Sequence, residues 1–404
     1  MDFSRIVHTL SALAQISLSL GVVVNRVTRG LLMIMAGIGA ASPVLCAAQP
    51  GAKQPGTKAG GVFVMTNAAD KNQVLTFERA GNGTLTSRQT VDTGGRGSGG
   101  VNDPLEAQGS LTLSQDHSLL FAVNAGSGTV SIFRVNGTDL DLSDQVPSGG
   151  SQPVAVAELG NLVYVLNSGG AGSVVGFQLN PAGHLKQIAN STAFLTANTT
   201  AGASIAISPN GKFLLVTERL ANNIDVFPIN QDGTLGPIVA NPSPGPGAFS
   251  VSFAPDGKAI VSETGPASVT DGSAVSSYSI LANGTLAAIS QSVPTFGAAN
   301  CWNAATPNGK YVYVSNAGSS TISGFAISPS GALTPIGSTV VGSNPAGSTN
   351  LDIAVSADGL NLYTLNSGSG NVGVFAINPD GTLTSLGEDG KFATFAGFNG
   401  VTAL

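Results

Sequence analysis

Three charged side chains interrupt an otherwise neutral pattern. They are Glu218 and Arg219 in VTERLANNIDVF (216–227) and Glu263 in SETGPASVTDGSAV (262–275). The matching places elsewhere hold Asn and small residues, as in FAVNAGSGTVSIF (121–133), YVLNSGGAGSVVGF (164–177), YVSNAGSSTISGF (313–325) and YTLNSGSGNVGVF (363–375). Two carboxylates near a guanidinium can polarise a carbonyl, orient a water or exchange a proton, provided burial tunes them. On that reading Glu218 is a base or water-orienting group, and Arg219 stabilises developing negative charge. The plainer alternative is that Glu218 and Arg219 pair locally or cap backbone amides.

A second set of candidates departs from the pattern of small or apolar residues that opens most inner strands. Cys301-Trp302-Asn303 contains the only Trp of the chain, and Asn350-Leu351-Asp352 places a carboxylate near the mouth of a central channel. Such a carboxylate is costly unless wet, paired or bound to a cation. Trp302 is either a wedge between blades or the floor of a pocket. The Gly-rich stretch DTGGRGSGGVNDPLEAQG (92–109) reads as a surface loop or flap that brings Arg96, Asp103 and Glu106 to the same face. It is not a phosphate-binding loop, because no GxxxxGK[ST] occurs and no helix follows.

Other chemistries find little support. His117 and His184 fall in tight turns on the opposite face, which makes a Ser-His-Asp triad improbable, and no His/Cys spacing suits zinc. An oxygen-only Ca²⁺ site using Glu218, Glu263 and Asp352 has no loop motif behind it, so no metal is expected. Cys46 falls in the expected leader. Cys301 is then alone in the mature chain, which rules out an intrachain disulfide and reads as a buried, inert thiol.

The elements that must position these residues are short strands. A signature recurs at Asn67, Asn124, Asn167, Glu218, Glu263, Asn316 and Asn366, about 50 residues apart. Each copy runs strand, SPNG-type turn, strand, variable turn, strand, NPDG-type turn, strand. Pro-Asn-Gly and Pro-Asp-Gly supply the fixed φ of Pro and the positive φ that Gly tolerates. Four strands per repeat of this length predict an all-β, seven-bladed β-propeller over 60–404. The first copy, GGVFVMTN (60–67), lacks its inner strand, and GFNGVTAL (397–404) reads as an inner strand without partners. Residues 399–404 are therefore predicted to complete the first blade and close the ring. The uniform SPNG- and NPDG-type turns fall on one face; the variable turns and the links between blades fall on the other, where function is expected.

Only 9% of the chain is charged, and its net charge of −6 becomes about −8 once the leader is set aside. No basic face exists for nucleic acid. Arg5, Arg26 and Arg29 precede the apolar run LLMIMAGIGAASPVLCAA (31–48), the layout of a secretory signal cleaved after Ala48. A second apolar run, 10–24, leaves a retained anchor as the alternative. Residues 49–59 read as a linker. The mature chain is expected to be periplasmic or secreted, without a stable membrane span, and monomeric.

The runs YVYVSNAGSSTISGF, AISPSGALTPIGS, SPNGKFLLVTERLANNIDVF and FAINPDGTLTSLG resemble the seven-bladed lactonase-type propellers, which include 6-phosphogluconolactonase-like proteins and the 3-carboxymuconate lactonising enzyme. The resemblance covers about 60–404. It implies opening or closing of a cyclic ester without metal or organic cofactor, on a small lactone or sugar-acid-like ligand. Family members use His, Arg and acidic groups at the variable face. Glu218 and Arg219 of VTERL match that kind of group, whereas the stretches before the inner strands, such as EAQGSL and TAGASI, hold no His. Three functions follow: an exported hydrolase of a small lactone, a non-catalytic binding propeller, and a carboxymuconate-type cycloisomerase.

Overall fold

The computed structural model describes residues 60–196, 201–266 and 269–404; the expected leader and linker lie outside them. The described residues form seven small antiparallel sheets arranged as a ring of blades, with no helix among them. Blades two to seven follow the chain from inside to outside. Blade four is representative: Gly202–Ile207, Phe213–Glu218, Asn223–Pro228 and Val239–Pro242. Its SPNG turn works because Asn210 accepts the Lys212 amide at 3.0 Å and the Ser208 hydroxyl at 2.8 Å, while Gly211 takes φ 69°.

The ring closes as the sequence predicts. Val401–Ala403 is the inner strand of the first blade and pairs antiparallel with Gly60–Met65, in the register Val62↔Ala403 and Val64↔Val401. Closure leaves no open sheet edge between the first and last copies. Blade three departs from four simple strands. Its outer edge is split into Leu185–Gln187 and Ala193–Phe194, both paired with Ser173–Leu179. Between them Asn190 adopts φ 59° and the Ser191 hydroxyl turns inward to the Gly176 carbonyl, which breaks the strand in two.

The core lies between blades. Second and third strands contribute runs such as Leu120, Phe121, Ala122 and Val123, all fully buried. Tyr164, Tyr313 and Tyr363 pack there too, and each hydroxyl donates to a turn carbonyl of a neighbouring blade: Gly233, Gly381 and Gly83. The inner strands of blades three to seven each carry a register shift near their start, for example between Gly202 and Ser204 and between Leu351 and Ile353. Bulges of this kind re-aim side chains. Here they do so where the inner strands meet the variable face.

Candidate functional site

The link 92–109 is the element that organises the variable face, and it is a plug rather than a flap. It leaves blade one and crosses the mouth of the channel. Gln108 donates its amide N–H to the Ala203 carbonyl of blade four at 2.9 Å. Its side chain donates to the Asn303 carbonyl of blade six at 2.9 Å and to Asp352 of blade seven at 3.2 Å. Leu105 and Ala107 are buried on the way. Behind the plug lies a channel of about 770 Å³ lined by the inner strands, from Gln108, Asn303 and Asp352 at one end to Gln115, Pro209, Pro255 and Pro307 at the uniform face. A glycine-rich sequence permits this path: Gly95, Gly97 and Gly126 leave no room for a Cβ against Asn124, Asn67 and the Gly97 carbonyl.

Trp302 is the wedge under this plug. It is 1% exposed, packs edge-on against Phe249 at 5.3 Å, and its indole N–H donates to the Ala107 carbonyl at 3.1 Å. Asn303 is buried beside it; its amide donates to Ser250 Oγ at 2.8 Å and Ser262 Oγ at 3.1 Å. Asp352 bulges out of its strand at φ 37° and accepts the amides of Ile353 at 2.8 Å and Val401 at 2.9 Å. One carboxylate thus joins blade seven, the closing strand and the plug. Burial pushes its pKa up to about 7, against the pull of those three donors.

The plug itself contributes to a second group of charges. Arg219 Nη2 forms an ion pair with Glu106 Oε2. Asp103 accepts the side-chain amide of Asn399 at 2.9 Å, and burial, opposed by that amide, raises its pKa to about 7, with Glu106 and Asp352 adding repulsion. Asp103, Glu106 and Asp352 all occupy the left-handed region, at φ 42°, 45° and 37°. Three acidic residues held in a sparsely populated backbone conformation are what functional sites tend to collect. Cys301, half-buried, lies within the field of the same charges, and burial drives its thiol well above its ordinary value, which disfavours the thiolate.

Arg219 joins this cluster, but Glu218 and Glu263 do not. Glu218 is fully buried, turned into blade four, and accepts the Thr196 amide and hydroxyl, each at 2.7 Å. Glu263 is equally buried and accepts three serine hydroxyls: Ser276 at 2.6 Å, Ser292 at 2.7 Å and Ser243 at 3.2 Å. Each holds the link that enters its own blade. Blade six does the same job with neutral groups: Asn316 donates to Ser323 Oγ at 2.9 Å, and Ser323 donates to the Thr295 carbonyl at 2.7 Å. In blade four the place of Ser323 is taken by Asp225, whose buried carboxyl oxygens find no donor among the described residues. Burial and the neighbouring Glu218 push Asp225 upward, so that it is held protonated. Arg96 is exposed on the plug's approach, and its backbone amide donates to Ser127 Oγ at 3.0 Å.

Sequence reasoning placed Asp103 and Glu106 on this face without giving them a role, and it missed Gln108 and Asn399. The signal for Asn399 was present in GFNGV, where a polar residue opens the predicted closing strand 399–404. His117 and His184 lie in turns of the uniform face, and His184 Nδ1 stands 3.5 Å from Asp144. Among the described residues, no three His, Cys, Asp or Glu side chains gather as metal ligands would, and no helix is long and apolar enough to cross a membrane.

The model of the family described as "Lactonase, 7-bladed beta-propeller" matches residues 158–301 and 272–394. The chain belongs to this family. Solved structures with the same ring include a candidate 6-phosphogluconolactonase from Bacteroides uniformis, 20% identical over 86% of this chain and 100% of that one, with a TM-score of 0.67. The periplasmic gluconolactonase of Pseudomonas aeruginosa is 18% identical over 85% of this chain and 99% of that one, with a TM-score of 0.63. A Lactobacillus plantarum protein is 18% identical over 86% and 100%, at 0.64. At these identities the likeness concerns the fold. No curated protein sequence matches the chain. Within the lactonase family, this member keeps an acid and arginine cluster at the closed mouth of its ring.

Proposed function

We propose that this lactonase-family propeller hydrolyses a small, uncharged lactone at the variable face, with Asp103 as general base and Arg219 as the oxyanion-stabilising cation. Asp103 carries the reading. A carboxyl group with a pKa of about 7 within the field of a guanidinium that Glu106 holds is matched to proton transfer near neutral pH. Asp103 takes a proton from water, and the water oxygen attacks the lactone carbonyl. Arg219, held by Glu106, stabilises the tetrahedral oxyanion. Collapse breaks the ring C–O bond, and Asp103 returns its proton to the departing alkoxide. The product is a hydroxy acid, which ionises and releases one proton.

The other candidates take supporting roles. Arg96 contacts the substrate from the rim. Asp352, Asn303 and Trp302 position the plug from below. Glu218 fixes the turn that carries Arg219, and Glu263 fixes the neighbouring one. The arginine-bearing, apolar N-terminal segment supports export to the periplasm or beyond. The family match and the periplasmic gluconolactonase with the same ring lend weight to lactone chemistry in that compartment.

The test is proton release by the full-length chain on a panel of γ- and δ-lactones, run beside Asp103→Asn and Glu218→Gln. Turnover lost about 100-fold or more in Asp103→Asn, with a smaller loss in Glu218→Gln, supports the assignment. Turnover that survives Asp103→Asn moves the base elsewhere. Absence of turnover throughout favours a binding propeller.

A further inference from the structure

The exposed apolar side chains are unevenly shared between the two faces. Among the described residues nine large hydrophobic side chains are exposed, and five of them lie in turns and links of the variable face: Val101, Leu220, Val269, Phe296 and Phe395. Three of these flank the charged cluster. Leu220, 65% exposed, follows Arg219 directly. Val101, 63% exposed, lies two residues before Asp103, and its carbonyl accepts the Gly397 amide at 3.0 Å. Phe395, 45% exposed, lies two residues earlier on the closing segment, where its amide donates to the Ser367 carbonyl of blade seven at 2.9 Å. Exposed apolar groups gathered beside a polar site mark a ligand or partner surface.

The charges of the same region argue against an anionic ligand. Arg219 is already paired with Glu106, and Lys71 with Asp92 at 2.6 Å, which leaves the exposed Arg96 at the rim as the cation of this face without an ion pair among the described residues. Glu106 is the counter-ion of Arg219, and the part-ionised Asp103 beside it adds negative charge that would repel a phosphate or a second carboxylate. We infer that the preferred substrate is an uncharged lactone bearing an apolar chain, which lies against Val101, Leu220 and Phe395 while its ring sits at Asp103 and Arg219. This inference rests on the hydrolase reading above and adds the substituent to it.

The experiment measures kcat/KM by proton release for δ-valerolactone, its 5-alkyl homologues up to the twelve-carbon lactone, and 6-phosphogluconolactone. The rate is expected to rise about twofold per methylene, less than full burial would give because the face is open. Leu220→Ser should flatten that slope, while Leu360→Ser, on the opposite face, should leave it unchanged. A flat series, or a faster phosphorylated sugar lactone, overturns the inference and leaves the hydrolase reading standing. If no lactone is turned over, the hydrolase reading fails, and calorimetry with the matching alkyl δ-lactams decides: affinity that climbs with chain length and falls in Leu220→Ser keeps the apolar subsite, and no binding removes it. Sedimentation with phosphatidylcholine–phosphatidylglycerol vesicles that is lost in Leu220→Ser would reassign these side chains to membrane docking and overturn the inference.

Discussion

Asp232 and Asp103 are both loop aspartates of the same repeat protein, yet they sit on opposite faces in opposite electrostatic states. Asp232 accepts the Thr234 hydroxyl at 2.6 Å and the Thr234 amide at 3.0 Å, and these bonds hold its carboxyl below the ordinary value. Asp116 and Asp380 are held down in the same way, chiefly by the hydroxyls of Ser118 and Thr382. On the variable face, Asp103 and Asp352 are driven upward by burial, and Asp225 by burial and Glu218. The uniform face uses carboxylates to finish turns. The variable face and the strand ends beneath it hold carboxyl groups whose burial raises them, and of the three only Asp103 lies beside the charged cluster rather than in a structural junction.

The largest expected effect comes from removing residues 397–404. That deletion takes away Asn399 and the Val401 amide, the partners of Asp103 and Asp352, together with the buried Phe398, Val401 and Ala403. Three apolar side chains at about 1.5–3 kcal/mol for the larger ones predict a fall in Tm of 10 °C or more, or loss of folding. A thermal melt checks this, and an unchanged Tm would refute closure by that strand.

Next in size is Arg219→Met, expected to lower kcat/KM about 100-fold by removing the cation that faces the developing charge. Lys212→Met, on the uniform face, should leave activity as it was. Equal effects of the two would erase the contrast between faces.

A smaller effect is expected from rebuilding blade four on the plan of blade six. The double variant Glu218→Asn/Asp225→Ser should fold and gain on the order of 1–3 kcal/mol at pH 8 in urea denaturation, because a neutral hydrogen-bonded pair replaces buried acids. The gain should shrink toward pH 4. Asp225 has a folded pKa raised above its unfolded value, so its contribution is present at low pH and is lost as pH rises through the folded value. A gain that does not vary with pH would mean that Asp225 is not protonated in the fold.

Much of this fold was legible because its determinants are local. A Pro-Asn-Gly turn such as 209–211 specifies itself within a few residues, and repetition of the signature gave the blade count. Closure was legible because the first copy lacked a strand and the last ended with one to spare. Arg219 stood out as a break in the pattern and does join a charged cluster. The direction of Glu218 and Glu263 was hidden, because whether a side chain at the end of a second strand faces solvent or its own blade depends on the link arriving from the previous blade. In both cases that link brings hydroxyl groups, from Thr196 and Ser243. The plug was hidden for a related reason. Residues 92–109 have no periodicity, and their path is set by partners far away in sequence: Ala203, Asn303 and Asp352.

The central claim is that Asp103 acts as a base whose half-buried setting tunes it to neutral pH, and the pH dependence of kcat/KM for a neutral δ-lactone tests it most directly. The lactone itself does not titrate, so the profile reports the free enzyme. Activity rising about tenfold per pH unit up to roughly pH 7 and then levelling, with that limb abolished in Asp103→Asn and retained in Asp232→Asn, is the predicted result. A limb centred near the ordinary carboxylate value of about 4, or one that survives Asp103→Asn, would contradict it.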